Sequence, residues 1–208
     1  MIARPNDAHQ RLDLAWNQII TECRQVLGSE LHYQAMVYHA LRTSGGVPIP
    51  QIGMNVKQYI KTVTSEMFTK LADRKHADFS QGFEPIPDVV IFGYGVNSDW
   101  RRRNYENTLK HTLLAIEIKA SERAKSRLGA AEIKTDILKL NAHRQEVREL
   151  GSDFIPVMMV IDTAPLESER MTEWSLGQSR DLAKSVSVEF RYFSMDRVIV
   201  DSTNSTSI

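Results

Sequence analysis

Two short apolar runs that carry charged residues constrain the fold more than any other feature of the sequence. They occupy about residues 87–93 and 113–120, and turn residues bound both of them, which is typical of β-strands. Asp88 stands at the start of the first run, while Glu117 and Lys119 lie inside the second. Strand side chains alternate between faces, so Glu117 and Lys119 project from the same face. Because burying unpaired charges is costly, we expect these side chains to serve a shared site on the sheet.

The rest of the chain alternates between helical and extended patterns. Apolar residues at helical spacing predict helices over about 9–27, 30–42, 129–150 and 168–184, the last interrupted near Gly177. Further strands are predicted near 52–56, over 154–161 and, half-exposed near a sheet edge, over 186–193. Residues 59–72 fit a helix or a strand, whereas loops are expected over about 73–81 and 95–112.

This order of elements predicts an α/β fold with a central mixed β-sheet flanked by helices. The 208 residues suggest one domain spanning 1–208, with a helical N-terminal part over about 9–42. The polar residues from about 201 to 208 predict a disordered tail.

Composition restricts the possible partners. The formal net charge of zero argues against tight non-specific binding to nucleic acid, but it permits an enzyme with a local basic patch. No apolar run is long enough to cross a membrane, and the N-terminal residues lack an apolar secretory core. The single cysteine, Cys23, lies on a helical apolar stripe, so we expect a buried thiol in a cytoplasmic protein. The scattered His111 and His143 are expected at the surface.

The charged strands resemble a known signature. Pro87-Asp88 followed by Glu117-Ile118-Lys119 is similar to the motif of the PD-(D/E)XK nuclease superfamily, whose members have a restriction-endonuclease-like fold. The resemblance covers the core from about residue 30 to residue 193. It implies a Mg²⁺-dependent nuclease, with Mn²⁺ as a possible substitute for Mg²⁺.

Hydrolysis of a phosphodiester needs an activated water and charge stabilisation, which Mg²⁺ with oxygen ligands can supply. Asp88 and Glu117 fit the role of direct ligands. The resemblance implies the carbonyl of Ile118 as a third ligand, and an acid from the first core helix, for which Glu30 is the candidate. An acid at Glu30 could equally complement the helix dipole. Lys119 would contact the attacking water or the scissile phosphate, either as a base or as electrostatic support.

Basic residues near these strands are candidates for contacts with nucleic acid. The resemblance implies a phosphate-contacting residue on the helix after the second charged strand, with Lys134 as first choice and Lys139 as second. A solvated helix face is the alternative for both. The loop over 100–105 mixes aromatic residues with three arginines that could grip phosphates, namely Arg101, Arg102 and Arg103. A solvated charged loop is the alternative there.

These observations favour a metal-dependent nuclease, an endonuclease acting on DNA in restriction, defence or repair. The alternative is a non-cutting nucleic-acid-binding or assembly subunit on the same fold. A third interpretation is an unrelated sheet domain, in which Glu117 and Lys119 form a solvated ion pair. Near-zero charge and small size suggest a homodimer or a partner subunit that brings the substrate. The sequence does not choose between DNA and RNA.

Overall fold

The computed structural model describes residues 1–73, 82–121 and 127–202. The predicted loop over about 73–81 and the predicted tail beyond residue 202 lie almost entirely outside the described residues. Within them the chain has an α/β fold, in which a six-stranded mixed sheet is flanked by helices. This architecture confirms the predicted fold class.

The strands of this sheet follow one another in space in the same order as along the chain. The first three strands pair antiparallel, the middle strands pair parallel, and the last pair is again antiparallel. Each parallel connection contains a long helix, as a crossover requires. The strands are β1 (Ile52–Met54), β2 (Val89–Phe92), β3 (Thr112–Ala120), β4 (Ile155–Asp162), β5 (Glu189–Ser194) and β6 (Val198–Asp201).

Helices cover both faces of the sheet. The described residues contain α1 (Pro5–Cys23), α2 (Glu30–Arg42), α3 (Glu66–Asp73), α4 (Tyr105–Lys110), α5 (Ala130–Glu149) and α6 (Glu173–Ser185). The predicted bounds of α2 and α5 are confirmed to within about a residue. None of the helices in the described part of the chain is long and apolar enough to cross a membrane.

Other helical predictions need correction. The first helix starts at Pro5 because the carboxylate of Asp7 accepts hydrogen bonds from the backbone and guanidinium of Arg4, and it stops at Cys23 rather than residue 27. The predicted interruption at Gly177 is wrong, since α6 continues through it. The segment over 95–112, predicted as a loop, contains α4 and two turns of 3₁₀ helix.

The two faces of the sheet have separate cores. Helices α1 and α2 pack on the face that carries Ile116 and Ile118, and Cys23 is fully buried there, as predicted. Burial raises the pKa of the Cys23 thiol to about 12. Helices α5 and α6 pack on the opposite face with Ala115 and Met158. Because strand side chains alternate, Glu117 and Lys119 project toward the α5 side.

The strand predicted over 186–193 forms β5, which lies beside the edge strand β6, but its predicted half-exposure is wrong. Strand β5 is buried along its length. The polar residues that suggested exposure are buried as ion pairs: Glu189 binds His9 of α1 at 2.7 Å, and Arg191 binds Glu189 and Asp13, each at 2.5 Å. The polar residues of this alternating pattern are therefore buried in ion pairs and do not face solvent.

The residues around 201 also differ from the prediction of a disordered tail. Asp201 belongs to β6, where it pairs with Phe190 of β5. Its carboxylate accepts two hydrogen bonds from the guanidinium of Arg180, at 2.6 and 3.0 Å. A bidentate pair of this kind fixes the strand end to α6.

Candidate active site

The start of β2 and the end of β3 meet at one edge of the site. The register places Val89 opposite Ile116, so Asp88 lies beside the next residue of β3, Glu117. The backbone N–H of Ile118 donates to Oδ2 of Asp88 at 2.6 Å, and the side chain of Gln34 on α2 donates to Oδ1 at 2.7 Å. Each carboxylate oxygen keeps a second lone pair. The Asp88 carboxylate is therefore fixed by a strand and a helix but can still bind a cation.

Burial and crowding destabilise the charged forms of both strand carboxyls. Burial raises the pKa of Asp88 to about 6, against the lowering effect of the Ile118 N–H, and nearby Glu30 adds to the rise. Burial also raises the pKa of Glu117 well above its usual range, with repulsion from Asp88 and Asp136 adding to it. A cation between these carboxylates would relieve both effects.

Lys119 is held by acids from two helices. Its ammonium lies 3.1 and 3.2 Å from the two oxygens of Glu30 on α2, and 3.3 Å from Oδ2 of Asp136 on α5. Burial opposes the charge, but Asp136 and Glu30 outweigh it and raise the pKa of the ammonium. The structure thus brings Glu30 into the same cluster as Asp88, Glu117 and Lys119, as a partner of the lysine.

Asp136 is a site residue that the sequence analysis missed. It is 6% exposed, and its Oδ1 accepts a hydrogen bond from Lys139 at 2.8 Å. The signal was its position, because Asp136 falls on the apolar stripe of α5 beside Ile133 and Ile137. A carboxylate on the buried stripe of a helix indicates a specific partner. Gln34, which orients Asp88, gave no comparable signal.

The clustered side chains open into a cavity of about 270 Å³. Glu117, Lys119, Asp136, Lys139 and Glu84 line its polar part. Its apolar part is formed by the segment before β2 together with residues of α3 and α5, namely Phe68, Phe83, Pro85, Ile86, Pro87 and Leu140. The cavity therefore combines charged groups with an apolar wall, as ligand sites commonly do.

His143 also lines this cavity, and its predicted surface position is wrong. The side chain is 1% exposed, and its Nε2 lies 3.1 Å from Oε1 of Gln58. Because an amide oxygen only accepts hydrogen bonds, Nε2 is the donor and carries the proton. Burial lowers the pKa of His143 to about 3, so the imidazole is neutral.

The lysines predicted to contact phosphate occupy different places. Lys134 points toward α6, where its ammonium donates to Oε1 of Gln178, and it does not line the cavity. Lys139 lines the cavity and is held by Asp136. Of the two candidates, Lys139 has the geometry to meet a group bound beside Glu117.

The three arginines of the 100–105 segment also separate. Arg101 and Arg103 both pair with Asp99, at 2.7 and 3.8 Å. Arg102 instead pairs with Glu84 of the cavity at 3.1 Å, and its guanidinium lies over the ring of Tyr59 at 4.3 Å. Arg102 is therefore the one of the three arginines that is bonded to a residue lining the cavity, and we refer to Glu84 and Arg102 as the mouth of the cavity.

Trp100, from the same segment, is partly buried and packs against the sheet. Its ring stacks on Phe92 of β2 with 5.9 Å between centroids. Its indole nitrogen is buried and finds no hydrogen-bond partner in the described part of the chain. Trp100 anchors the segment to the sheet and is not placed to stack on a base.

The donor set fits a hydrated magnesium ion better than an ion held by side chains alone. No three His, Cys, Asp or Glu side chains among the described residues are close enough together to hold a metal. Magnesium commonly takes one or two carboxylates and keeps several waters, which Asp88 and Glu117 allow. The N–H of Ile118 faces Asp88, and a strand residue directs its N–H and C=O to the same side, so the Ile118 carbonyl faces Asp88 as well.

The resemblance to the PD-(D/E)XK superfamily rests on the identity and placement of a few residues of this chain. Its signature residues Asp88, Glu117 and Lys119 come together in one cluster beside Glu30, and Glu117 and Lys119 line the cavity. The sheet around them is mixed and flanked by helices. We found no protein family, curated protein or solved structure that matches the chain.

Proposed function

We propose that this chain is a Mg²⁺-dependent nuclease of the PD-(D/E)XK type, with a restriction-endonuclease-like core, that cuts DNA as an endonuclease. The observation that carries the proposal is the convergence of Asp88, Glu117 and Lys119 in one cluster, of which Glu117 and Lys119 line a cavity. Buried charges of this kind could simply pair with one another and have no catalytic role. Here, in the described residues, no hydrogen bond or ion pair occupies the carboxylate of Glu117.

The side chains have separable roles. Asp88 and Glu117 hold the metal with the carbonyl of Ile118, while the metal, when bound, polarises phosphate oxygens and lowers the pKa of bound water. Lys119, charged and braced by Glu30, stabilises negative charge that develops on the phosphoryl group. A lysine held by two acids suits electrostatic support better than proton abstraction. We therefore assign Lys119 the electrostatic role.

Two basic groups are placed to hold the substrate. Lys139 faces the cavity beside Glu117, and Arg102 lies at its mouth. Each is at present paired with an acid, so a phosphate would exchange for Asp136 or Glu84 as partner. Such exchange gives moderate affinity, in keeping with the zero net charge of the chain. A second copy or a partner subunit, in the cytoplasm, would supply the remaining contacts.

Cleavage assays test this function directly. Supercoiled plasmid, linear duplex and single strands are incubated with Mg²⁺, Mn²⁺ or EDTA, and wild type is compared with Glu117→Gln and Lys119→Met. We expect metal-dependent nicking of the plasmid, and at least about a 100-fold loss of rate in both variants. Glu149→Gln and Lys184→Met are matched controls, since both side chains are exposed and distant from the cavity.

The outcomes separate the alternatives. Cutting of plasmid circles supports an endonuclease, while cutting of linear ends alone would indicate an exonuclease. Binding of DNA with no cutting in any metal would support the non-cutting subunit instead. Cutting that survives in both variants would show that the active residues lie elsewhere.

A further inference from the structure

Glu117 and Lys119 project from the same face of β3, two residues apart, yet they do not pair. The nitrogen of Lys119 binds Glu30 and Asp136 instead. Within the described residues, neither a hydrogen bond nor an ion pair reaches the carboxylate of Glu117. Residues i and i+2 are neighbours on one face of a strand, so Glu117 is the acid nearest to Lys119 along the chain on that face. The pairing of Lys119 with two acids from helices, in place of its neighbour Glu117, is therefore a specific feature of the site.

Asp136 divides its carboxylate between two lysines that could otherwise reach Glu117. Its Oδ2 lies 3.3 Å from Lys119 and its Oδ1 lies 2.8 Å from Lys139. Both ammonium groups and Glu117 line the same cavity. Asp136 thus opposes the movement of either cation toward the carboxylate of Glu117.

A purely structural role explains this arrangement poorly. Asp136 is buried and lies on the apolar stripe of α5. A buried ion pair is often no more stabilising than a well-packed apolar side chain of similar volume. Packing alone would be served by a residue such as Leu at this position. The acid is more easily understood from what it does to the two lysines.

We propose that Asp136 is a positioning residue that holds Lys119 and Lys139 away from Glu117, so that the Glu117 carboxylate stays open to a divalent cation. This role rests on the proposed metal-dependent function and adds a determinant of metal affinity to it. Loss of the Asp136 charge frees an ammonium, which then pairs with Glu117 and competes with the metal for the same oxygens. Outer partners of metal ligands typically affect metal affinity by roughly 10- to 100-fold.

Titration of purified protein with Mn²⁺, followed by the signal of free Mn²⁺ in electron paramagnetic resonance, measures the affinity without any cleavage. We expect Asp136→Asn, which preserves side-chain volume, to weaken binding by roughly 10-fold or more. Asp136→Glu should recover most of the loss, because it restores the charge. Circular dichroism and melting temperature confirm that the variants are folded. Unchanged affinity in folded Asp136→Asn would overturn the proposal.

A cycle of variants shows whether Asp136 acts through the lysines. In a Lys119→Met, Lys139→Met background no ammonium is present to occupy Glu117, so adding Asp136→Asn should change Mn²⁺ affinity by less than about twofold. A further loss of the original size would mean that Asp136 acts directly on the metal, and it would overturn the positioning role.

The structure of metal-free Asp136→Asn gives a test that depends on neither metal nor cleavage. We expect the ammonium of Lys119 or Lys139 within hydrogen-bonding distance of Glu117. Lysines that keep their wild-type positions would contradict the role of Asp136, whatever the protein does to DNA. Conversely, a wild-type protein that binds Mn²⁺ but cuts nothing would refute the proposed nuclease and leave the positioning role intact.

Discussion

The backbone N–H of Ile118 donates a hydrogen bond of 2.6 Å to the carboxylate of Asp88, and this bond joins the end of β3 to the start of β2. It favours the ionised carboxylate, yet burial outweighs it and raises the pKa of Asp88 to about 6. The unfolded chain has a value near 3.8. The folded protein therefore disfavours the ionised form of Asp88, and its stability depends on pH for this reason.

The carboxyls of the site should destabilise the metal-free protein as pH rises from about 4 to 7, whereas buried His143, whose pKa is lowered, acts in the opposite direction. A carboxyl whose pKa is raised on folding binds more protons in the folded state, so its contribution is complete below the unfolded value and is lost as pH rises through the folded one. For Asp88 alone the change is on the order of 2 kcal/mol, and Glu117 acts in the same direction. Urea unfolding at several pH values, with wild type beside Glu117→Gln, measures it.

The stability of wild type relative to Glu117→Gln should fall as pH rises, because the variant lacks the Glu117 carboxyl whose pKa is raised on folding. Mn²⁺ should raise the stability of wild type most at the higher pH values and change that of Glu117→Gln little, because the variant lacks a ligand. Parallel curves for the two proteins in EDTA would contradict the raised pKa of Glu117.

Gln34 should matter for activity more than for folding. Its amide N–H₂ binds Asp88 at 2.7 Å, and its carbonyl oxygen accepts from the side chain of Asn55 at 3.1 Å. Gln34→Leu removes both contacts, so the carboxylate of Asp88 loses its second anchor. We expect metal affinity or cleavage to fall by roughly 10-fold or more. Gln25→Leu is a suitable control, because Gln25 lies just after α1 and its side chain donates to the backbone carbonyl of Thr21 there. Equal effects of the two substitutions would show that the contact to Asp88 is unimportant.

Arg102 should contribute to DNA binding more than its neighbours do. It lies at the mouth of the cavity beside Glu84, whereas Arg101 is held by Asp99. Arg102→Ala should weaken binding across sequences and reduce the slope of log affinity against log salt by about one. Fluorescence anisotropy over a range of salt concentrations, with catalysis blocked by Ca²⁺, gives both quantities. A larger effect of Arg101→Ala would place the DNA path away from this cavity mouth.

Glu146 should be a strong contributor to stability. Its carboxylate accepts hydrogen bonds from the N–H of Thr64 and Ser65, the latter at 2.7 Å, and from the hydroxyl of Thr64 at 2.9 Å, just before α3 begins. Glu146→Gln replaces a charged acceptor at these donors, so we expect a loss of about 2 kcal/mol in the free energy of unfolding. Urea unfolding measures this loss.

Glu149→Gln, one turn further along α5, is the matched control, since Glu149 is exposed. We expect it to change stability by less than about 0.5 kcal/mol. Hydrogen exchange in α3 should also rise in Glu146→Gln, because the start of this helix loses its charged acceptor. This change would reach the cavity, since Phe68 of α3 lines it. Equal stability of the two variants would mean that the start of α3 does not depend on this carboxylate.

Structural elements whose apolar residues repeat regularly along the chain could be predicted from the sequence. Strand β3 and helices α2 and α5 were predicted nearly to their ends, because their apolar residues repeat clearly. The charges at Asp88 and Glu117 stood out because apolar neighbours surround them. Asp88 and Glu117 meet because β2 and β3 pair antiparallel.

What the sequence did not indicate depends on contacts between distant segments. Asp136 resembled one more charge on a charged helix until β3 placed Lys119 beside it. Glu189 and Arg191 appeared to face solvent because their partner, α1, lies far away along the chain. Alternation reports which side chains share a face, and it does not report what covers that face.

The ion pair between His9 and Glu189 joins residues 180 positions apart. During synthesis α1 leaves the ribosome long before β5 exists, so Glu189, a buried partner of α1, arrives late. Contacts of such long range form late, because the loop between them must be closed first. The face of the sheet beneath α1 therefore acquires its final packing only after β5 has emerged, and a growing chain must keep the apolar side of this helix from aggregating until then.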